Sequence, residues 1–144
     1  MQNSYPKMKN NEILYQELRG DSIKSITKNG TRFLYTFSMR YHTSDNNLIT
    51  TLQGKVQKGN NKEHIHSGII KTMNEIFKQY NIEEIYCFKR KEIEILILKK
   101  LRSRFKKEQI TVNAILLRSI DFSEKLKQQI YEKLLKEEEE KKQK

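Results

Sequence analysis

Apolar and polar residues alternate more regularly between Thr31 and His42 than anywhere else in the chain. Phe33, Tyr35, Phe37, Met39 and Tyr41 fall on one side of an extended backbone. Arg32, Thr36, Ser38, Arg40 and His42 fall on the other, and only Leu34 breaks the pattern. A period of two predicts a strand of an antiparallel sheet with one face buried and one wet. Lys28-Asn29-Gly30 precedes it, and Asn-Gly predicts a two-residue hairpin turn because both residues tolerate positive φ. Two shorter runs, Glu12–Leu18 and Ser22–Thr27, predict two further strands.

The period then changes. Asn47–Val56 predicts a short helix, and Gly54, Gly59, Asn60 and Asn61 predict a loop. From Lys62 to Tyr80 the apolar positions are Ile65, Ile69, Met73, Ile76, Phe77 and Tyr80, the 3.6-residue stripe of an amphipathic helix. Asn81 suits the cap of a short turn through Glu83, Glu84 and Ile85. A further helix is predicted from Lys89 to Lys107, with Ile93, Leu96, Ile97, Leu101 and Phe105 as its core stripe. Ile110–Ile120 returns to a strand pattern. The alternation slips by one between Val112 and Ile115, which predicts a β-bulge near Asn113 and Ala114.

Asp121 and Ser123 then offer caps, and Phe122 a hydrophobic staple, for a last helix from Ser123 to Lys142. Leu126, Ile130, Leu134 and Leu135 give that helix a narrow apolar stripe, and it is polar beyond Leu135. In heptad terms only Ile130 and Leu134 make a clean step. The junction therefore reads as the start of an assembly element, with Leu126, Ile130, Leu134 and Leu135 as its oligomerisation face. The pattern as a whole predicts an α+β fold: an antiparallel sheet packed on amphipathic helices, followed by a C-terminal coiled-coil-type helix. The expected divisions are an N-terminal tail over 1–11, a domain over 12–121 and the helix over 122–144.

Charge adds a location to this outline. The chain carries 29 basic and 18 acidic residues, a net +11. Nine basic and only three acidic side chains lie between residues 86 and 109, so about half the excess sits in one sixth of the length. The predicted helix there gathers Lys91, Lys99, Arg102, Arg104 and Lys106 opposite its core stripe, with Ile95 among them. A localised cationic face with an exposed Ile is expected to meet an anionic membrane surface or an acidic partner. No run approaches the roughly 18 apolar residues of a membrane span, and residues 1–9 hold no apolar signal core. The single cysteine, Cys87, excludes an internal disulfide and is expected to be a small buried or half-buried apolar residue.

No catalytic constellation emerges. His64 and His66 are two apart, which on a helix points them about 200° from each other, and no third ligand stands nearby. Cys87 has basic neighbours in Lys89 and Arg90, but no placed histidine base accompanies it. The five glycines are scattered, so there is no phosphate loop. Glu83-Glu84 and Glu92-x-Glu94 lie on solvated helix surfaces. The chain reads as a non-enzyme with no metal, no cofactor and no small-molecule substrate.

The order and spacing of several segments resemble the SPFH, or band-seven, family of stomatins, prohibitins and flotillins, with the prohibitin-like branch nearest. The resemblance runs over roughly residues 12 to 142. It is carried by Ile82-Glu83-Glu84-Ile85-Tyr86, then Arg90, Glu92 and Ile93, then Leu117-Arg118, Ile120, Lys125 and Ile130. The family's membrane anchor and Gly-rich first strand have no counterpart here, and its coiled coil normally continues past the point where Lys144 stands. The resemblance therefore implies a fragment of a longer anchored protein or a divergent short relative. It further implies a non-catalytic scaffold peripheral to a bacterial or organellar inner membrane. Such a scaffold oligomerises with itself or related SPFH subunits, organises membrane domains, or modulates a membrane-bound AAA protease of the FtsH kind.

Two other readings compete. Net charge and the Phe33/Tyr35/Phe37/Tyr41 stripe fit a nucleic-acid-binding sheet on which bases stack. That reading requires those rings to be exposed. The other is a structural subunit of a larger assembly that uses the fold for contacts alone.

Overall fold

A three-stranded antiparallel sheet forms the base of the fold, in the order β1-β2-β3. A computed structural model describes residues 15–43 and 58–142. β1 is Gln16–Ile26, β2 is Arg32–Thr43 and β3 is Ile110–Asp121. Between β2 and β3 come α1 (Lys58–Phe77), a single π-type turn over Glu84–Phe88 and α2 (Arg90–Lys106); α3 (Glu124–Lys142) follows β3. This is the expected α+β arrangement of an antiparallel sheet, amphipathic helices over one face, and a C-terminal helix.

β2 behaves as its alternation predicts. Phe33, Tyr35, Phe37, Met39 and Tyr41 are all buried. Ile69, Met73 and Phe77 of α1 and Ile93, Ile97, Leu101 and Phe105 of α2 are fully buried in the same core. Phe77 meets Phe33 and Tyr35 edge-on, with ring centroids 5.2 and 5.0 Å apart. Burying a side chain of this size contributes ~1.5–3 kcal/mol, so this layer dominates stability. Two phenols enter it only because their hydroxyls find partners. Tyr35 donates to Asn74 Oδ1 at 3.0 Å, and Tyr41 to Gln16 Oε1 at 3.2 Å. Burial pushes both phenol pKa values above their ordinary range.

Three expectations need correction. The two predicted early strands form one strand within the described residues. Gly20-Asp21-Ser22 resembles a turn, but β1 absorbs it as a bulge between Gly20 and Ile23, with Ser22 at φ +51°. Gly20 also gives the Phe37 ring its seat, since a Cβ there would lie 2.2 Å from Phe37 Cε1. The hairpin has a three-residue loop rather than two. Gly30 N donates to Thr27 O and Thr27 N to Thr31 O. Gly30 alone takes positive φ (+90°), while Asn29 Oδ1 accepts from the Thr27 hydroxyl at 2.7 Å. The helix predicted from Lys62 starts at Lys58, so Gly59, Asn60 and Asn61 form its first turn instead of a loop. The short helix expected over Asn47–Val56 lies outside the described residues, as do the tail and the beginning of the Glu12–Leu18 run.

Candidate interaction surface

The π-type turn aims α2. Asn81 heads it: its carbonyl accepts from the amides of Glu84 and Ile85, and its own amide donates to Glu84 Oε1 at 2.9 Å. That reciprocal bond is half of a capping box. Lys89 N then bonds Glu84 O at 2.8 Å, an i to i+5 step that resets the helix phase before α2. Ile85 sinks into the core and Tyr86 packs edge-on against Phe122 at 5.0 Å.

From there α2 runs along the outer edge of β3 and satisfies it with side chains. β3 carries two bulges opposite β2, at Asn113 and Arg118, where its register slips. Arg102 donates to Val112 O at 2.9 Å and to Asn113 O at 3.5 Å. Arg90 donates to Leu117 O and, at 3.3 Å, to Arg118 O. Glu94 Oε2 accepts from Leu117 N at 3.0 Å. Each guanidinium thus spans two successive carbonyls at one bulge. The spacing explains why both fit. Twelve helical residues span about 18 Å, and the five strand residues between the bulges about 17 Å. A bare strand edge invites pairing with other chains, and these clamps remove that option along much of β3.

The clamps divide the predicted cationic face. Lys91, Ile95, Lys99 and Lys106 stand exposed, with Ile95 62% exposed. At about 100° per residue they fall within an arc of roughly 80°. No lysine of this strip makes an ion pair with another described residue. Arg102 falls within the same arc, but its head group is committed to β3. Arg104 does not belong to it. It lies two residues beyond Arg102, about 200° round the helix, and donates to Thr72 Oγ1 of α1 at 3.4 Å. The surface that remains is a lysine strip about 22 Å long with an exposed isoleucine in it.

α3 is engaged by its own chain over its first half. Ser123 caps it, its Oγ accepting from Leu126 N at 3.2 Å. Lys127 reaches back to Asp121 at 3.2 Å and sits 5.5 Å over the Phe122 ring. Lys133 pairs with Glu83 at 3.1 Å. Ile130 is buried, and Leu126 and Leu134 pack against the same core. Three of the four residues expected to form the oligomerisation face are therefore used internally. Leu135 and Tyr131 are the apolar positions left open, at 47% and 56% exposure.

The other candidates disperse. Cys87 is exposed, contrary to expectation. His64 Nε2 meets Glu108 at 2.8 Å, while the His66 ring lies 5.9 Å from that of Phe37. Among the described residues no three His, Cys, Asp or Glu side chains come together as metal ligands. The Phe33, Tyr35, Phe37 and Tyr41 rings lie under the helices, so bases have no stacking platform on β2. The sequence reading missed Arg90, Glu94 and Arg102 as clamps, although Arg90 and Glu94 stand at a helical i, i+4 step.

The sequence pattern of the SPFH domain / Band 7 family matches residues 6–144, from before β1 through the clamped β3 and along α3. The chain belongs to the SPFH (Band 7) family. Comparison with curated proteins gives no match. SPFH domains are in general non-enzymatic, membrane-associated scaffolds. No helix among the described residues is long and apolar enough to cross a membrane.

Proposed function

We propose that this SPFH domain is a prohibitin-like scaffold that lies on an anionic membrane surface through the α2 strip. The observation that supports this most is the set of exposed lysines without ion pairs, Lys91, Lys99 and Lys106, around an exposed Ile95. Each lysine brought to an anionic leaflet contributes about 1 kcal/mol, so three favour binding roughly a hundredfold. Ile95 adds apolar contact at the headgroup boundary. In this reading oligomers form with copies of the chain or related SPFH subunits. Tyr131, Leu135 and the polar end of α3 are the part of that helix left for a partner. An FtsH-like AAA protease is the client, supported by the family resemblance. The membrane in this reading is a bacterial or organellar inner membrane.

Flotation with vesicles tests the surface. The chain should float with vesicles containing about one third anionic lipid and not with neutral ones. Near 1 M salt, where the Debye length falls to about 3 Å, flotation should be lost. Equal flotation with neutral and anionic vesicles would sink the reading.

A further inference from the structure

The outer face of the sheet is bare among the described residues. The register sorts its outward side chains into rows. Arg19, Ser38 and Leu116 form one row across β1, β2 and β3, and Glu17, Arg40 and Ala114 form the next. Arg118 joins them from the second bulge, donating to Ser38 Oγ at 3.3 Å. Arg19, Arg40 and Arg118 are exposed, and Leu116 among them is 51% exposed. An apolar side chain ringed by three arginines therefore faces solvent from a rigid sheet. Two acids stand near it. Asp21 is already paired with Arg19 at 3.7 Å, and Glu17 lies directly across from Arg40. Toward the hairpin Lys24 and Arg32 follow on the same side, and the acid there, Asp121, is bonded to Lys127 at 3.2 Å. The face keeps a positive excess.

The complementary surface is on α3. Lys133 pairs with Glu83 and Ile130 is buried, so the helix is pinned against the Asn81 turn, on the helix side of the sheet. From Leu135 to Lys142 every residue is exposed. At about 100° per residue Tyr131, Leu135, Glu138 and Glu139 share an arc of roughly 100°, on the side away from Leu126 and Ile130. The stripe is apolar first and acidic a turn later. Its acids belong to Glu137–Glu140, four carboxylates with no cation among them. Pinned in this way, α3 cannot lay the stripe on the outer face of its own sheet, so a second copy must supply it.

We infer that the distal half of α3 of one copy seats on the outer sheet face of another, head to tail. This deepens the self-association part of the proposed function and rests on it. Tyr131 and Leu135 lie against Leu116, and Glu138 and Glu139 meet Arg40 and Arg118. The spacing fits. One helical turn is about 5.4 Å, and two strand residues, from Leu116 to Arg118, span about 6.6 Å. Arginine forks suit carboxylates better than the lysines of the α2 strip do, which makes the sheet the acceptor. Three strands of this length present roughly 35 Å by 14 Å, about 500 Å². A contact of that size belongs to the weak, transient class. Donor and acceptor are different surfaces, so the contact propagates into a ring or filament instead of stopping at a dimer.

Sedimentation velocity of the full chain at low salt tests this, over about 10 to 500 µM, where a contact of this size is expected to form. The mass should rise with concentration and pass beyond a dimer. R40E/R118E and, separately, E138R/E139R should each weaken association about tenfold or more. The four reversals combined in one chain should restore it. L116Q, a neutral change on the open face, should weaken it severalfold. If R40E/R118E loses the native amide spectrum, L116Q and E138R/E139R decide in its place. Unchanged association of natively folded R40E/R118E overturns the docking, as does its loss in K91Q/K99Q/K106Q instead, and self-association then stands with another acceptor. A chain that is monomeric throughout overturns the docking and self-association together. Vesicle flotation through α2 is a separate readout that neither result changes.

Discussion

Arg90 and Arg102 hold their places by geometry more than by charge. Arg102 through Nε and Nη2, and Arg90 through Nη2, each meet two successive carbonyls where β3 bulges, on the edge that no described strand covers. Arg102→Ala should therefore lower stability by about 1–3 kcal/mol in urea denaturation, the usual scale for charge-assisted bonds. Arg102→Lys should recover only part of that, because an ammonium lacks the fork. Tyr35 gives the residue scale a pH signature. Its folded pKa is raised by burial from the ordinary value of 10.0. The contribution is complete below that value and is lost as pH rises from there through the folded pKa. Thermal denaturation between pH 8 and 11.5 should show stability declining above about pH 10. Tyr35→Phe should make that decline shallower by up to about 1.4 kcal/mol per pH unit.

At the scale of elements, α3 distinguishes internal from external use of an apolar stripe. Ile130 is 1% exposed and Leu135 47%. Ile130→Ala should cost about 2–4 kcal/mol of chain stability, whereas Leu135→Ala should change it by less than about 0.5 kcal/mol. Chemical denaturation of the two variants measures the contrast, and similar costs would place α3 differently. Elements whose one face is buried were the legible ones. The β2 alternation, the α1 and α2 stripes and the slip at Asn113 all follow from which positions must leave water. The second bulge was also written in the chain, because the slip between Val112 and Ile115 recurs between Leu117 and Ile120.

What periodicity could not carry were the places where one backbone meets another. Gly20-Asp21-Ser22 has turn chemistry, yet pairing with β2 holds it in a single strand. The α3 stripe looked outward because nothing in its sequence says that the Asn81 turn stands beside it. Exposed Cys87 is similar, since small size alone does not bury a residue in a π-type turn. The cationic face was half legible. Lys91, Ile95, Lys99 and Lys106 share one side by helical arithmetic, and the same arithmetic sends Arg104 to α1.

The whole molecule divides its surfaces by task. The inner sheet face is closed by α1 and α2, the β3 edge by two arginines, and the start of α3 by the Asn81 turn. These closures leave the lysine strip of α2 as a cationic surface beyond what the fold needs for itself. In the proposed reading, this SPFH domain presents a membrane with a rigid helix backed by a clamped strand. In that reading this strip, rather than net charge alone, makes the contact. The most direct measurement compares two charge-matched triple variants in anionic vesicle flotation at low salt. K91Q/K99Q/K106Q should bind roughly a hundredfold more weakly than the unaltered chain, while K136Q/K141Q/K142Q, with the same loss of charge on α3, should bind nearly as well. Equal weakening of the two would contradict the account.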